Sequence, residues 1–407
     1  MGKKVIAAGH ICLDITPVFS KAGKKTMSSI LQPGKLIQMK GVDVHTGGSV
    51  ANTGLAMKIL GADVTLMGKI GKDAFGDMIH NILKEYKAEK GMLVMEGEST
   101  SYSVILAVPG IDRIFLHNPG ANDTFQADDV PQKELENASL FHFGYPPLMK
   151  KMYEHHGEEL QKLMIKVKDT GAATSLDMAA VDSAADVGHI DWKQILEKVI
   201  PYVDFFMPSA EELCYMLDKE RFADWQKRAG SQDITEILDI EKDIKPLAKQ
   251  CMDFGAKVLL IKCGTPGIYY RTAGRNTLMK VGKKAELNIN RWADKEGFEK
   301  SYIPERVLSG TGAGDTSIAA FLTAMLGGYT IEECMQLSTA TGASCVTEYD
   351  ALSGLKSFSE LQKKIKEGFF VEWKSYETVN GTWYYGTALD DIMDARGDDY
   401  RVIILTP

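Results

Sequence analysis

Short apolar runs that alternate with longer helix-like stretches are the feature that most limits how this chain can fold. The apolar runs have the length of buried strands and lie at residues 5–8, 64–67, 140–143, 174–176, 203–207 and 258–261. Helical patterns separate most of them, at residues 49–60, 74–86, 150–168, 211–217 and 240–254. Parallel strands need long crossover connections, so this alternation predicts an α/β fold with a parallel sheet and helices on both faces. After residue 308 the pattern becomes mostly helical, at 316–326, 331–345 and 359–366.

Two segments interrupt the alternation. Residues 15–46 contain turn signals around a short predicted strand at 36–39, and residues 99–118 alternate like the two arms of a hairpin. We predict that both segments form a small β lid on an α/β domain made of residues 1–14, 47–98 and 119–368. Residues 369–407 are predicted to be a C-terminal extension packed on the body. The polar stretches 219–240 and 282–300 are predicted surface insertions.

Bulk composition excludes several classes of protein. The formal net charge of −8 argues against general nucleic-acid binding, which needs a basic surface. No apolar stretch approaches the roughly 20 residues that span a bilayer, and the first apolar run is too short for a signal peptide. The six cysteines form no close pair and are expected to be reduced, buried thiols. We therefore expect a cytoplasmic protein without nucleic-acid or membrane partners.

A glycine-rich turn at residues 309–316 opens the predicted helix near the C-terminus. Glycines at Gly312 and Gly314 would let an anion approach the free N–H groups of the helix start. Asp315 repels an anion, but it suits a base that takes a proton from an attacking alcohol. Aspartate also caps helices, and the loop alone does not separate the two roles.

A second set of candidate residues lies near the N-terminus. Gly47 and Gly48 precede a predicted helix in which Asn52 could bind a hydroxyl group, and Asp14 follows the first strand. Ligands of open α/β sheets bind beyond the carboxyl ends of strands, where a carboxylate could hold two neighbouring hydroxyls. Helix punctuation and a turn aspartate are the structural alternatives.

The order of these motifs resembles that of the PfkB (ribokinase-like) family of carbohydrate and nucleoside kinases, from about residue 4 to 368. The resemblance implies a three-layer α/β/α sandwich with a mostly parallel sheet and a β lid. It implies transfer of the ATP γ-phosphate to a hydroxymethyl group of a sugar or polyol. Asp315 would be the base, and the amides of Gly312, Ala313 and Gly314 the anion hole. Asp14, Gly47, Gly48 and Asn52 would hold the acceptor.

The resemblance also implies a nucleotide side of the site. Its residues would be Thr311, Ser209, Glu212, Lys262, Gly264 and Gly267, with Mg²⁺ held indirectly by Glu212 through water. The family often has Asn where this chain has Ser209. Ser309 and Gly310 replace the Asp-Thr of many members, at a position that helps form a monovalent-cation site, so K⁺ dependence stays open.

Three questions stay open at this level. A nucleoside kinase of the same fold and a catalytically silent ligand-binding relative are alternatives to the sugar kinase. The acceptor is unnamed. A lid has sheet edges that can pair with a second copy, so a homodimer through the lid stays open as well.

Overall fold

The structure is a computed structural model that describes residues 3–19, 32–108 and 114–367, and the backbone of two later strands. The strands are β1 (Lys4–Gly9), β2 (Cys12–Val18), β3 (Gly41–Gly47), β4 (Asp63–Gly71), β5 (Met92–Met95), β6 (Tyr102–Leu106), β7 (Ile114–Asn118), β8 (Leu140–Gly144), β9 (Ala173–Asp177), β10 (Phe205–Phe206), β11 (Val258–Lys262), β12 (Gly267–Thr272), β13 (Glu296–Lys300), β14 (Lys374–Glu377) and β15 (Trp383–Gly386).

Helices occupy most of the connections between these strands. They are α1 (Ser49–Ile59), α2 (Ala74–Glu85), α3 (Gln132–Asn137), α4 (Lys150–Asp169), α5 (Trp192–Val199), α6 (Ala210–Leu217), α7 (Lys219–Ala229), α8 (Lys245–Asp253), α9 (Arg275–Leu278), α10 (Ile289–Trp292), α11 (Ala313–Leu326), α12 (Ile331–Cys345) and α13 (Phe358–Lys366). In the described residues, no helix is both long enough and apolar enough to cross a membrane.

The central sheet has nine strands in the order β13-β12-β11-β10-β9-β8-β1-β4-β5. Its strands run parallel from β11 to β5, and β12 and β13 are antiparallel at one edge. Side chains of β1 alternate between two cores: Ile6 packs with the layer of α4, α5 and α8, and Val5 packs with the layer of α1, α11 and α12. Helices therefore cover both faces, and the predicted α/β/α sandwich is confirmed.

A second sheet of four strands has the order β3-β2-β6-β7. It uses parts of both segments predicted to form the lid, although β2 already begins at Cys12. The predicted strand at 36–39 is wrong: this stretch has no strand, Leu36 is 89% exposed, and Gly41–Gly47 pairs with β2 instead. Ile114, Phe115 and Leu116 of β7 are exposed, and a dimer through this sheet stays a prediction.

Two stretches predicted as surface insertions contribute to the body. Trp225 of α7 and Leu238 are buried in one core, and residues Glu296–Lys300 form the edge strand β13. Polar composition was misleading because a single buried tryptophan anchors an otherwise solvated helix. The predicted packing of residues 369–407 falls outside the described residues, apart from the hairpin that β14 forms with β15. The division into domains stays a prediction.

Candidate active site

Helix α11 begins at a glycine, which leaves the N–H groups of its first turn without a side-chain cap. Gly312 is the N-cap residue with φ 75°, and no side chain caps this helix. The first helical bond runs from the Thr316 N–H to the Gly312 carbonyl at 2.8 Å, so the preceding N–H groups, including those of Gly314 and Asp315, have no partner one turn back in the helix. Their positive ends can bind an anion.

Asp315 lies in the first turn of α11 and is 5% exposed. Its carboxylate accepts hydrogen bonds from Asn52 Nδ2 at 3.0 Å and Thr53 Oγ1 at 3.2 Å, both on α1. Burial raises the pKa of Asp315, while the Lys262 charge and these hydrogen bonds oppose the rise. The carboxylate bonds to side chains of other elements and Gly312 occupies the N-cap, so capping does not account for Asp315.

Tyr145 is a site residue that sequence reasoning missed. Its hydroxyl lies 2.8 Å from both carboxylate oxygens of Asp315, and it donates to this carboxylate. Tyr145 follows β8 with φ 69°, a left-handed conformation that is rare for a bulky residue and concentrates at functional sites. Its place directly after a buried parallel strand was a usable signal, because ligands bind at that edge of the sheet.

Lys262, at the end of β11, brings a positive charge to the region around the start of α11. Its Nζ lies 2.6 Å from Asp177 Oδ1 at the end of β9, and its aliphatic chain passes beside Gly314. Burial alone would lower the pKa of Lys262, but Asp177 and Glu212 outweigh it and the net shift is upward. Lys262 is therefore a charged ammonium beside the glycine-rich turn.

Asp177 is 1% exposed, and burial raises its pKa above the usual range despite the neighbouring Lys262. From the sequence alone, a place near the nucleotide and a plain strand end are both open for Asp177. Asp315, Asp177 and Glu212 all act electrostatically on the single ammonium of Lys262. Three carboxyl groups thus share one ammonium, and burial raises the pKa of Asp177 to about 8 and also raises that of Asp315, so a further cation would stabilise the charged forms of both.

The predicted acceptor residues lie on the other side of Asp315. Gly48 is the N-cap of α1 with φ 83°, and Gly47 packs so closely on the Asp14 carboxylate that a Cβ would overlap it. Burial raises the pKa of Asp14 to about 6, and Cys12 Sγ donates to its carboxylate at 3.3 Å. Asn52, expected to hold an acceptor hydroxyl, donates to Asp315 in this structure.

Ser209 and Glu212 form a capping box at the start of α6. The Glu212 N–H donates to Ser209 Oγ at 3.2 Å, and the Ser209 N–H donates to Glu212 Oε2 at 2.7 Å. The backbone of Ser209 also pairs with Lys262 in an isolated parallel bridge, and the Glu212 carboxylate acts electrostatically on the Lys262 ammonium. Glu212 is half-buried, and its Oε2 atom is engaged in the capping box.

The other residues predicted on the nucleotide side are Thr311, Gly264 and Gly267, and they lie in two separate turns. Thr311 lies in the turn before α11, where its hydroxyl accepts a hydrogen bond from Ser309 Oγ at 2.9 Å. Gly264 and Gly267 form the turn between β11 and β12, and added Cβ atoms would meet Thr235 and the Glu299 carbonyl. Packing is thus sufficient to explain why these two positions are glycine.

A cleft of about 890 Å³ runs between the four-stranded sheet and the loops around α11. Asp14, Thr46 and Asn52 line it from one side, and Ser309 and Thr311 from the other. The arrangement combines a buried carboxylate with a raised pKa, a helix start that can bind an anion, one ammonium and a large cleft lined by both polar and apolar residues. These parts suit the transfer of an anionic group to a hydroxyl.

Comparison with known proteins agrees with this geometry. The chain is 24% identical to fructokinase-2 of Solanum lycopersicum, covering 89% of this chain and 96% of the relative. A ribokinase of Arabidopsis thaliana solved with ribose and ATP superposes with a TM-score of 0.65 at 20% identity, covering 90% and 99%. An E. coli structure described as a ribokinase II with ATP and Mg²⁺ gives a TM-score of 0.64 at 20% identity, with the same coverage. Residues 4–357 match the family described as pfkB family carbohydrate kinase, and the chain belongs to that family.

Proposed function

We propose that this protein is a sugar kinase that transfers the γ-phosphate of ATP to a hydroxymethyl group of a sugar or polyol. The observation that carries the proposal is the buried Asp315 carboxylate at the glycine-opened start of α11. A related fructokinase and a ribokinase bound to ribose and ATP support the substrate class. Membership of the family supports phosphoryl transfer itself.

Asp315 would act as the base of the reaction. The acceptor hydroxyl gives its proton to the Asp315 carboxylate as its oxygen forms a bond to the γ-phosphorus and the bond to the ADP oxygen breaks. A raised pKa makes this carboxylate a stronger proton acceptor. Asn52 and Thr53 hold it in position, which reduces the reorganisation needed during transfer.

The start of α11 and Lys262 would stabilise the transferred phosphoryl group. The amides of Gly312, Ala313 and Gly314 would form the anion hole, although the Ala313 N–H here donates to the Gly310 carbonyl at 3.4 Å. Lys262 would add a full positive charge beside Gly314. Asp14, Gly47, Gly48 and Asn52 would hold the acceptor. Closure of the four-stranded sheet over the cleft would exclude water and so limit hydrolysis of ATP.

Mg²⁺ fits this set of residues as a hydrated ion. In the described part of the chain, no three His, Cys, Asp or Glu side chains are grouped as a metal site. Mg²⁺ usually keeps several waters and binds few protein oxygens directly. Glu212, half-buried beside Lys262 and Asp177, would hold one of those waters. When bound, the ion would neutralise phosphate charge.

Asp315→Asn tests the proposal. We expect kcat for ATP-dependent phosphorylation of a sugar to fall by about 1,000-fold, in the range that general bases contribute. ATP binding, measured by calorimetry, and the melting temperature should stay close to those of the wild type. A screen of sugars, polyols and nucleosides with ATP and Mg²⁺ supplies the acceptor.

Asp191→Asn is the matched control, because Asp191 is an N-cap whose carboxylate accepts from the Gln194 N–H of its own helix. Its activity should equal that of the wild type. If Asp315→Asn keeps more than a tenth of the wild-type kcat, Asp315 is not the base.

A further inference from the structure

Two histidines near the acceptor residues, one buried and one half-buried, have buried ring nitrogens without hydrogen-bond partners among the described residues. His10 directly follows β1 and is 2% exposed, and neither of its ring nitrogens has a partner within residues 3–19, 32–108 and 114–367. His117 lies on β7, and its Nε2 atom is also buried without a partner. Buried polar atoms are nearly always paired with protein or with ordered water, so each of these nitrogens has room in its hydrogen bonding for a water or for a hydroxyl group of a ligand.

The two rings lie between the two ends of the proposed acceptor site. Their centroids are 5.1 Å apart, and the His10 ring is 6.0 Å from the ring of Tyr145, whose hydroxyl contacts Asp315. At the other end, His117 Nδ1 lies 3.0 Å from Ser103 Oγ, and Ser103 is hydrogen-bonded to Asp14. His10 also touches Gly48, where an added Cβ would overlap its ring.

Both imidazoles are neutral at physiological pH. Burial and the neighbouring His117 lower the pKa of His10 well below its usual value, and burial lowers the pKa of His117. A neutral imidazole has one donor and one acceptor nitrogen. A hydroxyl group can satisfy either nitrogen, whereas a carboxylate or phosphate can only accept.

The cleft itself disfavours anions. Among the described residues that line it, Asp14, Asp43, Glu85 and Asp350 are acidic, and none is lysine or arginine. An acidic group on the acceptor would meet these charges at close range with no lysine or arginine in the described lining to offset them, and like charges brought together cost several kcal/mol. The nearest cation of the site, Lys262, is paired with Asp177 on the phosphate side.

We infer that His10 and His117 bind hydroxyl groups of the acceptor, so that the protein selects uncharged sugars or polyols over sugar acids and sugar phosphates. The inference rests on the proposed function, since it concerns the acceptor of that reaction. It adds two specificity-determining residues, one from the central sheet and one from the four-stranded sheet. Because one ring follows a strand of the central sheet and the other lies on the four-stranded sheet, acceptor recognition also depends on the relative position of these two sheets.

Matched acceptors test the selection. Fructose is compared with fructose 6-phosphate, and glucose and glucitol are compared with gluconate. For each acceptor, binding to the wild-type protein is measured by calorimetry, and turnover is measured with ATP and Mg²⁺. We expect kcat/KM for neutral acceptors to exceed that for the charged ones by at least about 100-fold. Equal or better use of the charged acceptors overturns the selection and leaves the kinase assignment intact. If no acceptor of either kind binds or reacts, the proposed function fails and the inference fails with it.

His10→Phe and His117→Phe test the residues, because phenylalanine keeps a ring but removes both nitrogens. We expect acceptor KM to rise about tenfold for each variant, with ATP KM within about twofold of the wild type. His142→Phe is the control, because His142 is buried on β8 with an unpartnered Nε2 but bonds to Ser175 in the core. It should lower the melting temperature without changing acceptor KM.

His117→Asn serves where His10→Phe does not fold, since His117 lies on an outer strand and is only half-buried. Its acceptor KM should rise less than that of His117→Phe, because the amide restores part of the hydrogen bonding. Acceptor KM values within twofold of the wild type in every folded variant overturn the role of both histidines.

Discussion

Helices α1 and α11 begin in the same way but contribute different chemistry. Each starts at a glycine with positive φ, Gly48 at 83° and Gly312 at 75°, and neither has a side-chain cap. Other helices of the described chain, such as α2, α6 and α12, are capped by the side chains of Asp73, Ser209 and Thr330. A glycine start leaves the first N–H groups accessible.

The difference lies in what the first turns present. Helix α1 directs Asn52 and Thr53 at the carboxylate of Asp315, whereas α11 provides Asp315 itself and its unpaired amides. The glycines also differ: Cβ atoms at Gly48 and Gly312 would overlap His10 and Ala351, but a Cβ at Gly314 would lie 3.5 Å from the Lys262 side chain. Gly48 and Gly312 are therefore needed for the fold, and Gly314 is available for binding.

Among the tests of this comparison between the two helices, substitution of the two α11 glycines one at a time should have the largest effect. Gly314→Ala places a methyl group where phosphate would approach, and we expect kcat/KM to fall about 100-fold, similar to losing an anion-hole donor. Its melting temperature should stay level or rise, because alanine favours helices. Gly312→Ala should instead destabilise the protein by about 1–3 kcal/mol, through strain at positive φ and overlap with Ala351. Urea unfolding and steady-state kinetics of both variants provide the comparison, and equal stability losses would contradict it.

A smaller effect should appear on the α1 side as pH falls. The pKa of Asp14 is raised to about 6 by burial. Acceptor KM should therefore rise about tenfold between pH 7 and pH 5 as the carboxylate protonates, while Asp14→Asn should show a flat profile. Because the folded pKa exceeds the unfolded one, ionised Asp14 destabilises the fold, and the stabilisation by Asp14→Asn should be larger at pH 7.5 than at pH 5. A wild-type KM that is independent of pH would remove Asp14 from acceptor binding.

The smallest effect is expected for Tyr145, which lies outside α1 and α11 and donates a hydrogen bond to the Asp315 carboxylate. Tyr145→Phe removes the hydrogen bond to Asp315, and we expect kcat to fall roughly fivefold with KM values unchanged. Stopped-flow or steady-state assays at saturating substrate measure the change. The neighbouring exposed Lys150→Gln should have no effect on kcat, and a similar loss there would point to a disturbed β8–α4 connection.

Sequence reasoning was most accurate where a local pattern decided the outcome. The helix predicted at 331–345 is observed as Ile331–Cys345, and the buried strands at 140–143 and 258–261 differ from those observed by one residue. It failed where one side chain mattered more than composition, as for Trp225 in a polar stretch. It also misplaced the strand before Gly47, because pairing with β2 and not local propensity selects residues 41–47.

The sequence by itself determined the layered α/β architecture and the two helices that begin at a glycine. Hydrophobic periodicity and the conformational freedom of glycine both determine structure within a few residues. Only the tertiary structure decided what surrounds Asp315. Asn52 and Asp315 are 263 positions apart, Tyr145 and Asp315 are 170 apart, and Asp177 and Lys262 are 85 apart. No local pattern encodes such pairs, because they form where the carboxyl ends of separate strands meet at one edge of the folded sheet.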